Sequence, residues 1–410
     1  MPEVFFAASL VGLAFTVNAL RPRRGALVAV PSFFGAWLTS ELAPHLLAVH
    51  VLGVAAFAVN GALEGWPGWT GLGLCALIAA GLVAMVVESH RVRHRLEDAL
   101  REGLGDAYDA GPDITRLQWK RLIVPFWFRH ADVERVRNLA YAQGGRRFRL
   151  DVYRHRDRPS GRPVVLQIHG GGWTISNKDQ QGKPLMLHLA ARGWVCFAIN
   201  YPLSPRATWP DHIVAVKRAI AWIREHGAEH GADPSFILVT GGSAGGHLAA
   251  LAALSCNDPG LQPGFEDADT SVQAAVPYYG VYDFTATDRK ILGMLERIVL
   301  KRRLADARDV FEAASPIHRC RPDAPPFFVI HGSKDSLVPV AEARAFVERL
   351  RATSEAPVAY AELPGAQHAF DVFGSLRAAH VAVAVERFAD HAYARWTASA
   401  PDSATRLAHG

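Results

Sequence analysis

The sequence predicts an α/β fold, with a doubly wound and mostly parallel sheet, preceded by an apolar helical region at the amino end. From Arg147 onward, short apolar runs alternate with amphipathic segments, which is typical of parallel strands covered by helices on both faces. The first ninety residues differ in composition, since few charged side chains lie between residues 4 and 87. We therefore expect the main boundary of the chain near Glu88.

The N-terminal region contains two stretches, residues 4–20 and 70–87, that approach the roughly 20 apolar residues of a membrane-spanning helix. The apolar stretch between them, 26–60, is interrupted by two prolines and a glutamate, and predicts either one span centred on 42–60 or two short spans. We favour one span. A secretory signal is disfavoured because the amino end lacks positive charge, and buried helices of a soluble cap remain the other interpretation. Residues 1–89 are thus expected to form a transmembrane region of about three spans.

Basic residues predict the orientation of these spans. Arg21, Arg23 and Arg24 follow the first span, a cluster at 90–95 follows the last, and the loop 61–69 has no lysine or arginine. Because positive charge prefers the cytoplasmic side, three spans place both clusters there, and with them the rest of the chain. We therefore expect a multi-pass membrane protein whose larger, C-terminal unit is cytoplasmic.

The net charge of +5 and the isoelectric point near 9.1 raise the possibility of a nucleic-acid partner. The basic residues concentrate at 91–95 and 116–121, and no nucleic-acid-binding module accompanies them. Such clusters beside a membrane fit anionic lipid headgroups better. We expect membrane lipids to be partners of the N-terminal region and expect no nucleic acid.

The cysteines argue against a metal centre or a disulfide framework. They are widely separated and lack metal-ligand spacing, which predicts free thiols in a reducing compartment. They lie at Cys75, Cys196, Cys256 and Cys320.

The α/β unit is expected over residues 146–397. Residues 147–154 alternate like an outer strand, and helical periodicity fills the gaps between the later runs. Residues 90–145 remain as a linker or cap segment, and 398–410 as a loose tail. The predicted inner strands are 164–169, 194–200, 236–241, 274–279, 327–332 and 358–363.

The stretch GGSAGG, 241–246, follows one predicted strand and leads into a helical run. A Gly-x-Ser-x-Gly sequence in that setting predicts a nucleophile elbow, a tight turn that lifts the serine hydroxyl above the sheet. The pattern is weak alone, but the strand before it and the helix after it strengthen the prediction. Ser243 is therefore the candidate nucleophile.

A serine nucleophile needs a histidine base and a carboxylate that orients the base. In this fold the expected chain order is serine, acid, histidine, each after a strand. Asp335 follows the strand at 327–332, and His368 follows the strand at 358–363. His331 is interpreted as a packing residue. Other candidates are less well placed relative to the strands: Asp323, His318, His380 and His391.

Three consecutive glycines in HGGGW, 169–173, follow another predicted strand about seventy residues before the serine. Glycine lets backbone N–H groups converge on a developing oxyanion without a Cβ in the way. We expect Gly170 or Gly171, with Gly171 preferred, to supply one donor and Ala244 the other. His169 is expected to orient this loop rather than to transfer protons.

Together these motifs resemble the hormone-sensitive-lipase-like esterases, bacterial family IV of the α/β-hydrolases, over roughly residues 147–390. HGGGW, GGSAGG, DSL and the histidine of HAF stand in that family's order. The resemblance implies hydrolysis of carboxylic esters by a Ser-His-Asp triad, a helical cap and no metal or organic cofactor. Gly242, NYPLSP and DSLVP depart from the usual motifs, which affects substrate preference more than catalysis. The apolar N-terminal region is similar to that of a membrane-anchored subset.

Other functions stay open at this stage. A hydrolase of the same fold can cleave amides or formamides, and motifs do not separate these from small-molecule or lipid esters. A non-catalytic ligand-binding relative is disfavoured because all three triad members are present. The aromatic residues Trp173, Tyr278 and Tyr279 are interpreted either as pocket lining or as packing.

Overall fold

The computed structural model describes residues 1–24, 28–105, 108 and 122–399. The N-terminal region is helical: α1 spans Pro2–Leu20, α2 Ala29–Glu41, α3 Ala43–Val59 and α4 Trp66–Leu104. By length and composition, α1 and α4 can each cross a membrane, while α2 and α3 meet at an angle of 83°. Residues 29–41, which precede the predicted span centred on 42–60, thus form a separate helix.

Small residues on α4 allow α1 to pack closely against it. A Cβ atom at Gly81 would lie 2.4 Å from a methyl carbon of Thr16, and one at Gly71 would lie 3.1 Å from the ring of Phe5. Close approach at small residues is a common way for helices to pack within membranes.

Helix α4 is 39 residues long and continues beyond the apolar stretch into the segment expected to be a linker or cap. Its carboxyl half carries Val92, Leu96 and Leu100 on one face, all buried against the sheet. A Cβ at Gly103 would lie 2.3 Å from the Cα of Ala359 in the last strand. The end of this helix is therefore a covering layer of the α/β unit.

Within the described residues the sheet has eight strands, numbered in chain order. They lie in the order β1-β2-β4-β3-β5-β6-β7-β8, with β1, β2 and β4 paired antiparallel and the others parallel. The sheet begins before the predicted boundary at 146, because the charged segment VERVRNLA forms an edge strand. The prediction missed this strand because one that is half exposed has no continuous apolar run. The strands are Val133–Ala140, Arg149–His155, Arg162–Ile168, Val195–Ile199, Ala232–Gly242, Ala274–Tyr278, Phe327–Gly332 and Val358–Leu363.

Helices cover both faces of this sheet. One core lies under the helices Asp211–His226, Ala244–Leu254 and Val340–Thr353, and the other lies under α4 and the helices Lys183–Ala191 and Leu376–Ser399. The basic stretch 116–121 and the tail from residue 400 lie outside the described residues. Residues 398 and 399, which were expected to belong to the tail, instead form the end of the helix Leu376–Ser399. The remaining helices are α5 Lys183–Ala191, α6 Asp211–His226, α7 Ala244–Leu254, α8 Arg289–Met294, α9 Arg308–Ala313, α10 Val340–Thr353 and α11 Leu376–Ser399.

Candidate active site

Ser243 lies in a sharp turn between β5 and α7, with φ 59° and ψ −121°. Its neighbours must be small, since a Cβ atom at Gly242 would lie 2.5 Å from the Tyr279 hydroxyl. A Cβ at Gly245 would lie 2.1 Å from the carbonyl oxygen of Ile168. A tight turn with small neighbours is the geometry expected of a nucleophile elbow.

Asp335 and His368 lie in loops that follow adjacent strands, β7 and β8. Nδ1 of His368 is 2.6 Å from Oδ2 of Asp335, and both side chains are buried. The other carboxylate oxygen accepts hydrogen bonds from the backbone N–H groups of Leu337 and Val338, at 2.9 and 2.8 Å. Burial alone would raise the pKa of Asp335, but the two neighbouring histidines and their hydrogen bonds outweigh it and hold this pKa well below its usual range.

The second of those histidines is His331, which the sequence suggested to be a packing residue. It is fully buried, and its Nε2 lies 3.1 Å from the Val338 carbonyl and 3.2 Å from Oδ2 of Asp335. Because both neighbours are acceptors, this nitrogen carries the proton. His331 thus packs and also donates to the carboxylate, a contact that the sequence pattern did not indicate.

Ser243, Asp335 and His368 line one cavity of about 690 Å³. Gly171, Gly172 and Trp173 form part of its wall, and Ile291 and Met294 of α8 form another part. The structure therefore brings the predicted nucleophile, acid and base to one site at the carboxyl ends of the parallel strands.

The two candidate glycines of the oxyanion loop differ in their surroundings. The Gly170 N–H already donates to Oε1 of Gln181 at 2.6 Å, whereas Gly171, with φ 103°, lines the cavity. Ala244 is the first residue of α7, so its N–H has no acceptor within the helix. Gly171 and Ala244 are thus better placed than Gly170 to donate to a ligand.

His169 supports this loop from below. Its Nδ1 lies 2.7 Å from the Gly170 carbonyl oxygen, and its ring stacks on Tyr201 with centroids 4.4 Å apart. Burial lowers the pKa of His169 to about 4, so the ring is neutral at physiological pH.

The three aromatic residues left open by the sequence have separate environments. Trp173 lines the cavity but is 98% buried, and it packs edge-on against His247 and Phe284. Tyr279 donates its hydroxyl to Asp371, and its ring centroid lies 4.4 Å from that of His368. Tyr278 is fully buried in the core beneath the site.

The roof of the cavity comes from helix α2, which the sequence assigned to the membrane region. The Phe33 ring lies edge-on to His368 at 6.1 Å, and the Trp37 indole N–H donates to the Ala369 carbonyl at 2.8 Å. Just before α2, the Arg24 guanidinium donates to the Asp335 carbonyl at 3.0 Å. A sequence signal for this role is the presence of four polar residues, all of them buried, in an otherwise apolar helix: Ser32, Thr39, Ser40 and Glu41.

Within the described residues, no three His, Cys, Asp or Glu side chains are grouped as metal ligands. The cysteines, all of them described, form no disulfide.

Comparison with known proteins finds similarity to ester hydrolases. A family model described as BD-FAE matches residues 150–350. The chain is 56% identical over 263 residues to the probable carboxylic ester hydrolase LipM of Mycobacterium tuberculosis, an alignment that covers 63% of this chain and 61% of LipM. The chain has the α/β-hydrolase fold and is similar in sequence to a named carboxylic ester hydrolase. A second relative is esterase LipQ of the same organism, 54% identical over 63% of this chain and 62% of LipQ.

Solved α/β-hydrolases resemble the chain at the level of the sheet and its helices. Thermogutta terrifontis esterase 2 with bound butyrate is 27% identical, with a TM-score of 0.52 over 63% of this chain and 93% of that esterase. A truncated carbohydrate esterase from gut microbiota, 23% identical with a TM-score of 0.54, shares the fold. The chain spans less than two thirds of the length of LipM and LipQ.

Proposed function

We propose that this protein is a serine hydrolase that cleaves carboxylic esters through Ser243, His368 and Asp335. The observation that carries the proposal is the shared cavity, which is lined both by a serine on a tight turn and by a histidine hydrogen-bonded to a buried carboxylate. Relatives named as ester hydrolases, at 56% and 54% identity, support the same reaction class.

In the proposed mechanism, His368 accepts the proton of Ser243 as its oxygen attacks the ester carbonyl. The carbonyl oxygen becomes an oxyanion, to which the N–H groups of Gly171 and Ala244 donate. The tetrahedral intermediate collapses to an acyl-enzyme, and His368 gives its proton to the departing alkoxide. Water, deprotonated by the same histidine, then releases the acid and restores the serine.

Asp335 acts through the base. Its ionised carboxylate can only accept, so the Nδ1 atom of His368 carries a proton and Nε2 is left to accept one from the serine. The carboxylate is itself held by two backbone N–H groups and by His331. These contacts keep the charge buried and fixed while the imidazolium forms.

The proposal includes a multi-pass membrane protein with the hydrolase unit on the cytoplasmic side. The length of α1 and α4 supports spanning, and the arginines after α1 support the orientation. Fusion of alkaline phosphatase or a fluorescent protein to the carboxyl end tests the orientation in bacterial cells. A cytoplasmic end gives fluorescence without phosphatase activity, and the reverse result rejects the topology.

The decisive test of the reaction is hydrolysis of p-nitrophenyl esters, acetyl through palmitoyl, by the detergent-solubilised full chain. Ser243→Ala should lower the rate to background, while Ser271→Ala, outside the cavity, should leave it unchanged. Matching p-nitroanilides test the amide alternative. Full activity in Ser243→Ala would reject the assigned nucleophile, and cleavage of the anilides alone would reject the ester assignment.

A further inference from the structure

Helix α2 lies between the apolar N-terminal bundle and the candidate active site. Its buried face, with Phe33 and Ala36, packs towards the hydrolase unit and the bundle. Its opposite face exposes Val30, Phe34 and Leu38, which are 57%, 50% and 40% exposed. One helix thus joins the catalytic cavity to an exposed apolar surface.

The cavity opens at that surface. Val30 and Phe34 line the cavity although each is at least half exposed, and so does Ile175 of the glycine loop, which is 68% exposed. A cavity whose lining residues are this exposed reaches the surface at those side chains. Its mouth is therefore rimmed by large apolar groups, an arrangement that is unfavourable in water and favourable against hydrocarbon.

The mouth lies beside the helices that are candidates to span the membrane. Helix α2 is tied to the last turn of α1, where Asn18 Nδ2 donates to the Ser32 carbonyl at 2.8 Å and the Ser32 hydroxyl donates to Asn18 Oδ1 at 2.6 Å. Because α2 meets α3 at 83°, α2 lies near the plane of the membrane surface when α3 crosses it. The exposed apolar face of α2 then meets the leaflet.

The carboxyl end of α2 is fastened to the hydrolase unit, so this placement is fixed. Glu41, fully buried, pairs with the buried Arg377, and it accepts a hydrogen bond from the Ser375 hydroxyl at 2.7 Å. The indole hydrogen bond of Trp37 to Ala369 adds a second attachment one turn earlier.

Two cations lie at the polar side of the mouth. Arg24 and Lys290 both line the cavity, and the Lys290 ammonium donates to the Arg24 carbonyl. The mouth therefore combines an apolar side, continuous with the membrane region, and a charged side on which these two cations accompany the carboxylate of Asp288. An amphipathic ester with hydrocarbon chains and a polar headgroup matches both.

Building on the proposed ester hydrolysis, we propose that the substrate is a lipid ester of the adjoining membrane leaflet. It enters sideways between α2 and the glycine loop, with its acyl chain along Val30 and Phe34 and its headgroup beside Arg24 and Lys290. The membrane region is then part of the substrate-binding site as well as an anchor.

The test uses the full chain in lipid nanodiscs and two fluorogenic esters, 4-methylumbelliferyl butyrate in solution and 4-methylumbelliferyl oleate in the bilayer. Phe34→Ser should lower oleate hydrolysis about tenfold more than it lowers butyrate hydrolysis, because the long acyl chain loses more apolar contact than the short one. Leu38→Ser is the matched control, since Leu38 is exposed on the same helix but does not line the cavity. An equal loss for both esters, or an equal effect of Leu38→Ser, overturns the lateral entry.

A second measurement does not depend on turnover. Ser243→Ala in nanodiscs containing a diazirine-labelled phospholipid should be crosslinked on irradiation at Val281 or Met294, inside the cavity. Phe34→Ser in the same background should reduce this crosslinking. Butyrate hydrolysis by the wild type without any cavity crosslink rejects the lipid substrate and leaves the esterase proposal standing. Cavity crosslinks in a protein that hydrolyses no ester reject the esterase proposal and leave the lipid site standing.

Discussion

Trp37, on an apolar helix of the N-terminal region, donates its indole N–H to the carbonyl oxygen of Ala369, 2.8 Å away and one residue after His368. The contact joins the roof of the cavity to the loop that carries the proposed catalytic base. A change in helix α2 should therefore reach the reaction itself, as well as any attachment to a membrane.

Trp37→Phe should lower hydrolysis of soluble esters by a few fold. The variant keeps an aromatic ring stacked on Phe33, whose centroid lies 5.6 Å away, but loses a hydrogen bond with a net contribution of about 0.5–1.5 kcal/mol. The measurement is kcat/KM for p-nitrophenyl butyrate. Trp69→Phe, at an exposed tryptophan outside the cavity, is the control and should match the wild type. Equal rates in all three proteins would contradict the coupling.

Glu41→Gln should destabilise the protein by about 3–5 kcal/mol, because it leaves the buried Arg377 without its anion. Thermal unfolding in detergent measures the effect. The double variant Glu41→Gln with Arg377→Met removes both charges and should recover much of the loss. If the single variant unfolds at the wild-type temperature, this pair does not fasten α2.

Asp335→Asn should lower kcat for ester hydrolysis by about 10³–10⁴-fold, since the amide no longer selects the His368 tautomer that can accept the serine proton. Steady-state kinetics on p-nitrophenyl butyrate provide the measurement. Asp323→Asn, at an exposed carboxylate paired with Arg321, should have no effect. Near-normal activity in Asp335→Asn would place the acid elsewhere.

Gly171→Ala should reduce kcat by about 10²–10³-fold, the typical cost of losing one oxyanion donor. At φ 103° a Cβ atom would lie 2.3 Å from the Ile175 carbonyl oxygen, so the loop must shift. Gly172→Ala is the matched comparison, because its Cβ would have its nearest contact at 3.6 Å, with Met294. Its left-handed φ of 58° should cost about 1 kcal/mol of stability and little activity. Similar kcat values for the two variants would argue against the assigned donor.

His169 should make stability depend on mild acid. Its folded pKa of about 4 lies below the ordinary value of 6.5, so the unfolded state binds the proton first as pH falls. Stability is therefore fully present above pH 6.5 and decreases from there down to about pH 4. His169→Phe should remove about 1–2 kcal/mol of the decrease between pH 7 and pH 5. Urea unfolding of both proteins at the two pH values measures this, and an unchanged difference would show that His169 titrates normally.

Much of the α/β unit could be predicted from local sequence. Inner strands such as 236–241 are continuous apolar runs because both of their faces are covered, and the turn around Ser243 needs small residues that can be read directly. Strand β1 was not predicted because an edge strand with a half-exposed face carries charges. The continuation of α4 onto the sheet was also not predicted. Its apolar positions indicate a buried face, but the strand that this face contacts lies over 250 residues later in the chain.

By itself, the sequence determined the order and chemistry of the candidate site: a serine in a glycine-lined turn, an aspartate and a histidine after later strands, and three glycines after an earlier strand. These follow from local rules, because each motif is set by the turn or strand end that contains it. Only the tertiary structure decided that the Gly170 N–H donates to Gln181 while Gly171 lines the cavity, that His331 donates to Asp335, and that α2 covers the site. Those features depend on contacts between segments far apart in the chain, such as Trp37 with Ala369. In addition, an apolar helix that crosses a bilayer and one that covers a cavity have the same composition, so composition alone does not distinguish them.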